Sequence, residues 1–195
     1  MSKNGAKGNL KQSYSQTGYS SAIRKGYEEY SVAGFYEKFG DDYRNPHEAA
    51  IQAILPLAVN QWQLDLAKVL DLACGSGEVT LVLKSLGASD IDGIDPYTYN
   101  AYFKRTGQSA ATFTFEEIAS GIISDRNYSL IICSFALHLV DDSRLPVLAY
   151  QLSLIAKAIV IITPHKRPQL KPEWGWIYLD EIVVDRVRAR LFYSK

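Results

Sequence analysis

The sequence predicts an α/β fold: a doubly wound, mainly parallel seven-stranded sheet that ends in an antiparallel hairpin. Three observations carry this expectation. Apolar, strand-like runs at 68–73, 90–95, 111–115, 128–133 and 157–162 alternate with helical stretches at about 78–86, 97–106, 116–121 and 143–156. Runs this apolar need cover on both faces, which parallel sheets receive from their crossover helices. The tail then changes period: Val183, Asp185, Val187, Ala189, Leu191 and Tyr193 alternate with Arg186, Arg188, Arg190 and Phe192, as in one long strand. Finally, Val69 to Gly77 reads Val-Leu-Asp-Leu-Ala-Cys-Gly-Ser-Gly, a buried strand entering a glycine turn ahead of a helix.

Along the chain, residues 1–21 contain Gly, Ser, Asn, Gln, Lys and Tyr with almost no aliphatic side chains and read as a flexible tail. Ile23 to Phe39 is rich in aromatics and reads as one or two short helices broken near Gly34. Together these make residues 1–45 a tail and helical lid, ahead of one domain at 46–195. Asn45-Pro46 has the form of a helix N-cap with proline at the first helical position. The helix that follows carries Ala50, Ile51, Ile54, Leu55 and Ala58 at helical spacing, with Pro56 predicting a kink or an early end. Pro164, Pro168 and Pro172 preclude a long helix after the fifth strand, and Ile177 to Val184 is the candidate hairpin partner of the tail strand.

Composition bounds the function classes. Lys+Arg and Asp+Glu are both 21, so no global charge draws the 195-residue chain toward nucleic acid or an anionic membrane. The two cysteines, Cys74 and Cys133, lie in or beside apolar strands without metal-ligand spacing, which suits a reduced, cytoplasmic protein. No run approaches transmembrane length and no signal-peptide core opens the chain. Oligomeric state is not legible.

The glycine turn makes a pocket for a nucleotide-like ligand, and Asp95 at the tip of the second strand is placed to grip two ribose hydroxyls. Asp71 and Asp95 are 24 residues apart, one βαβ unit with the glycines between them. Asp71 alternatively caps the helix that follows, and Asp95, ahead of Pro96, alternatively begins a turn. A nicotinamide dinucleotide needs Gly-x-Gly-x-x-Gly, and counting from Gly75 the third position is Thr80.

The string Val69–Gly77, with Ile94-Asp95 closing the second strand, resembles the first motifs of class I S-adenosylmethionine-dependent methyltransferases. The resemblance covers roughly residues 46–195 and extends to Phe115-Glu116-Glu117-Ile118 and to Leu130 through His138. It implies a Rossmann-like methyltransferase fold and S-adenosylmethionine as cofactor. By the same resemblance Gly75 and Gly77 let the backbone approach the methionine part, and Ala73 stands where the family often has glycine. Asp71 orients the loop and receives the ammonium group, and Asp95 accepts the ribose hydroxyls. Tyr97 packs on adenine, Glu116 or Glu117 meets its amine, and Cys133 and Ser134 hold the methionine end.

For the acceptor, His138 after the fourth strand is a candidate base or a packing residue. His165, Lys166 and Arg167 after the fifth are a candidate clamp for an anionic substrate, and Trp174 and Trp176 candidate walls. Tyr27, Tyr30, Tyr36 and Tyr43, with Arg44 and His47, belong to the expected lid. Arg186, Arg188 and Arg190 share a strand face, either as a stripe for RNA or as a solvated face paired with acids. Asp141 and Asp142 lack the further carboxylate or amide that a magnesium site wants after the fifth strand, so no metal is expected. The expectation is a methyltransferase acting on O or N of a small molecule, with RNA or protein as alternative acceptors and a non-catalytic scaffold as a third reading.

Overall fold

The computed structural model describes residues 43–195. Seven strands, β1 (Val69–Leu72), β2 (Ile91–Ile94), β3 (Ala110–Ala111), β4 (Tyr128–Ser134), β5 (Ala156–Thr163), β6 (Trp176–Val184) and β7 (Val187–Ser194), form one sheet. Their order is β3-β2-β1-β4-β5-β7-β6. The first five pair in parallel, and β7 enters antiparallel between β5 and β6. This is the expected mixed sheet with its terminal hairpin. Chain order reverses between β1 and β4, so their carboxyl ends open a crevice for a ligand.

Among the described residues five α-helices cover the sheet: α1 (Glu48–Trp62), α2 (Glu78–Ser85), α3 (Tyr99–Thr106), α4 (Phe115–Ala119) and α5 (Leu145–Ile155). Alternate residues of each strand enter two separate cores. Val69, Leu130, Val160 and Leu191 pack with α1 and α2, whereas Leu70, Ile131, Ile159 and Phe192 pack with α4 and α5. Ile51, Ile54 and Leu55 of α1 are wholly buried, each contributing about 2 kcal/mol of hydrophobic stabilisation. This packing carries α1 through Pro56 to Trp62 despite the lost amide donor. Among the described residues no helix is long and apolar enough to cross a membrane.

Several local expectations change. The cap of α1 is His47 rather than Asn45, whose Oδ1 instead accepts the His47 amide at 2.9 Å in a turn just ahead of the helix. β3 is two residues long because the chain turns into α4 at Phe115. There Thr114 Oγ1 accepts the Glu117 amide at 3.2 Å and Glu117 Oε2 accepts the Thr114 amide at 2.8 Å, a reciprocal capping box. The tail is not one strand from Val183: Asp185 and Arg186 take φ of 47° and 69° and make the tight hairpin turn. Arg186 therefore sits in a turn, Arg188 pairs with Glu181, and Arg190 is buried, so the three arginines form no stripe. Trp176 is wholly buried with its indole N–H donating to Ala149 O at 2.7 Å, and Trp174 packs on the same core. Neither tryptophan walls the ligand crevice.

Candidate active site

A cavity of ≈ 270 Å³ opens at the carboxyl ends of β1, β2 and β4. Its polar edge is Asp95 with Ala73 and Gly75, its apolar walls include Ile94, Tyr97, Phe113 and Ile118, and Glu116, Ser134 and Phe135 close the far side. Tyr43 and Asn45 reach it from the start of the described chain.

The loop after β1 is shaped by backbone conformation. Ala73, Gly75 and Gly77 all have positive φ, of 58°, 56° and 88°. Glycine tolerates this without cost, whereas alanine at position 73 costs about 1 kcal/mol. A Cβ on Gly77 would lie 2.4 Å from Thr106 Cγ2, so this glycine admits α3 against the loop and does not line the cavity. Gly93 in β2 does the same for Tyr102, whose ring carbon would stand 2.7 Å from a Cβ there. The sequence reading missed Gly93, because a single glycine within a strand carries no signal until its neighbour is known.

Asp95 holds the loop to β2. Its Oδ1 accepts the amides of Tyr97 and Thr98, both at 2.9 Å, and its Oδ2 accepts the Gly75 amide at 3.2 Å. Thr98 Oγ1 returns a bond to Gly75 O at 2.8 Å. The Thr98 side chain also bonds this carboxylate, which borders the cavity. Burial raises the Asp95 pKa from its ordinary value, and the amide bonds oppose that rise.

Asp71 stands behind the loop and not in the cavity. Its Oδ2 accepts the Thr80 amide at 3.1 Å and the Thr80 hydroxyl at 2.7 Å, while Oδ1 is buried without a partner. Asp71 thus caps α2, the alternative the sequence left open. Full burial pushes its pKa up to about 7. Thr80, where a dinucleotide fold would have glycine, also bonds Tyr102 Oη at 3.0 Å. Glu117 is spent on its capping box, and Cys133 lies in the core with its thiol pushed up to about 12 by burial. Of the expected cofactor residues, Ala73, Gly75, Asp95, Tyr97, Glu116 and Ser134 face the cavity, whereas Asp71, Gly77, Glu117 and Cys133 support it from behind.

Beneath the loop lies an ion-pair cluster that sequence did not announce. Arg105 of α3 bonds Glu78 Oε1 at 2.7 Å and Glu48 Oε1 at 2.6 Å, and Glu78 also accepts from Ser76 Oγ and, at 3.3 Å, from the Asn45 amide. Glu78 is almost wholly buried, so the guanidinium is its necessary counter-charge.

The opposite side of the mouth is made of rings. All three histidines of the chain, His47, His138 and His165, converge there from three segments. His47 stacks on Phe135 with centroids 4.1 Å apart and planes 8° from parallel, and His138 meets His165 at 4.7 Å. Phe135 holds a strained φ of 53°, anchored by its amide on Ile162 O at 2.8 Å. Loss of hydration, then the neighbouring imidazoles, lowers the pKa of His138 and of His47. Arg190 is buried beneath the post-β5 loop and donates to His165 O at 2.6 Å, Lys166 O at 3.0 Å and Pro168 O at 2.7 Å. Among the expected acceptor-side residues, Tyr43 lines the cavity, His138 lies on the turn between the lining residues Ala136 and Leu139, His165 meets its ring, and Arg167 is exposed two residues further on. Tyr30 and Tyr36 lie outside the described residues, as does all but the last three residues of the expected 1–45 segment. Among the described residues no three His, Cys, Asp or Glu side chains are arranged to hold a metal ion.

Comparison with known proteins accords with this geometry. A family model for the methyltransferase domain matches residues 42–190. An uncharacterized protein of Schizosaccharomyces pombe is 31% identical, over 83% of this chain and 87% of its own. In fold, the chain is similar to magnesium protoporphyrin IX methyltransferase from Synechocystis PCC 6803 with bound S-adenosylmethionine, at TM-score 0.59 and 16% identity over 96% of this chain and 100% of that one. A putative RNA methyltransferase from Pyrococcus horikoshii has TM-score 0.58 at 14% identity, over 78% of this chain and 86% of that one. The cavity fits such a cofactor: the Asp95 carboxylate stands at the tip of β2, an apolar and aromatic slot lies beside it, and the loop backbone at Ala73 and Gly75 forms its edge. The chain belongs to the methyltransferase-domain family and is a class I S-adenosylmethionine-dependent methyltransferase.

Proposed function

We propose that the enzyme methylates an oxygen or nitrogen of a small molecule, with His138 as the general base. Bound S-adenosylmethionine supplies an electrophilic methyl group on a sulfonium, whose C–S bond breaks as the acceptor's bond to carbon forms. In this reading Asp95 takes a ribose hydroxyl, Tyr97 and Phe113 flank the adenine, and Glu116 receives its amine. Ser134 and the backbone at Ala73 and Gly75 hold the methionine end. His138, on the turn Leu137–Leu139 between the lining residues Ala136 and Leu139, removes the acceptor's proton as the new bond forms. Its lowered pKa keeps a ring nitrogen unprotonated at neutral pH, so the base is in its working form.

The observation that carries the reading is the placement of His138 at the cavity rim beside two further imidazoles. The dispersal of Arg186, Arg188 and Arg190 supports a small acceptor over RNA, because an RNA track needs its cations on one face. The test is methyl transfer to a panel of small phenols, amines and acids, beside RNA and protein. His138→Gln is expected to lower turnover about 100-fold at pH 7 with S-adenosylhomocysteine affinity unchanged by calorimetry. Full turnover in that variant, or labelling of RNA or protein alone, overturns the reading.

A further inference from the structure

Three imidazoles meet on the acceptor side of the mouth, and the loop that carries one of them continues through Lys166 and Arg167. His47 comes from the start of α1, His138 from the turn after β4, and His165, Lys166 and Arg167 follow one another after β5. The charges that act on His138 are His165 and His47, and the charge on His47 is His165, so no carboxylate answers either ring. Among the described residues no ion pair involves Lys166 or Arg167. Two of the acids nearest in the chain are engaged elsewhere: Glu48 is held by Arg105, and Asp141 accepts from the amide and hydroxyl of Ser143 at 2.8 and 2.6 Å. Asp142 is exposed beside it.

A surface loop free to move would swing like charges apart. This one is pinned, because wholly buried Arg190 spends three hydrogen bonds on the carbonyls of His165, Lys166 and Pro168. Glu181 of β6, with Oε2 3.5 Å from Arg190 Nε, also pairs Arg188, so this carboxylate is spent on two guanidiniums and offers no counter-charge to the rim. The pinned loop thus presents Lys166 and Arg167 next to His165 with no ion-paired carboxylate among the described residues, which is the form of a pre-organised anion site.

We propose that this rim binds an anionic group of the methyl acceptor, a carboxylate or a phosphate, between His165, Arg167 and the neighbouring imidazoles. The inference rests on the acceptor site described above for its place, and names the class of molecule that enters it. Binding draws a proton onto the cluster, since an imidazolium beside an oxyanion is favoured over a neutral ring.

The test uses the full chain saturated with S-adenosylhomocysteine, and because the chain has three histidines, nuclear magnetic resonance reads the cluster without background. The rings are titrated with pH in the presence of benzoate, of inorganic phosphate, and of uncharged benzamide. Benzoate or phosphate is expected to move the ring signals saturably and to raise their midpoints by about half a pH unit or more. The stronger of the two anions names the acceptor's group. His165→Gln with Arg167→Gln is expected to weaken the anion about tenfold or more with melting temperature and S-adenosylhomocysteine affinity kept. Arg167→Gln alone, at an exposed position, is the second variant and is expected to weaken it by a smaller factor. Rings that ignore both anions, rings that answer benzamide equally, or anion binding unchanged in the variants each overturn the proposal. None of these readouts involves turnover, so they fail independently of the assignment of His138 as base.

Discussion

Around Asp95 almost every polar contact is a backbone amide: Gly75, Tyr97 and Thr98 all donate to one carboxylate. Around His138 the contacts are rings meeting rings, with His165 and His47 brought in from distant parts of the chain. The donor side is therefore made by fold geometry, and changing a residue there disturbs the loop itself. The acceptor side is made by side chains displayed on loops, and changing one there alters what is recognised. One fold can in this way keep its cofactor while its acceptors vary.

The largest effect that would test this contrast is at Asp95. Asp95→Ala removes the acceptor of three amides together with the proposed contact to ribose, and S-adenosylhomocysteine affinity is expected to fall by about 100-fold or more. Calorimetry on Asp95→Ala beside His165→Gln reads both sides at once. If both variants lost the ligand equally, the separation of donor from acceptor would be broken.

An intermediate effect belongs to Asp71. Its folded pKa, about 7, is above the ordinary carboxyl value of 3.8, so the folded state holds a proton that the unfolded chain has released across that interval. Asp71 therefore contributes stability at low pH that is lost as pH rises from about 4 to 7. Asp71→Asn keeps an oxygen for Thr80 and removes the titration. Urea midpoints at pH 5 and pH 8 are expected to show the variant gaining on the parent as pH rises, and a difference independent of pH would refute the buried-acid account.

The smallest effect is at Ala73. Relief of its positive φ by glycine is partly offset by the greater freedom of the unfolded chain, and Ala73→Gly is expected to stabilise by about 0.5 kcal/mol. A destabilised variant in denaturant titration would mean that the methyl group, and not the backbone, shapes this part of the loop.

The same contrast governs what could be read from sequence. The donor loop lies within one βαβ unit, so its strand, glycines and terminal acid appear in register along 24 residues. The roles of Asp71 and Glu117 were harder, because a capping carboxylate and a ligand-binding one look alike until the helix start is placed. The histidine cluster joins positions 47, 138 and 165, and no local pattern predicts that meeting. Arg190 shares its strand face with Arg188, yet the loop after β5 folds over one and leaves the other at the surface, a distinction that strand period cannot supply. The hairpin turn at Asp185 and Arg186 was hidden because neither residue is glycine or asparagine.

Arg105 gives the two halves of the site something in common. It grips Glu78 at the head of α2 and Glu48 at the head of α1, and Glu48 is the neighbour of His47. One guanidinium therefore fastens the helix that begins under the glycine loop to the helix that begins beside His47, and the heads of α1 and α2 share a single ion-pair cluster.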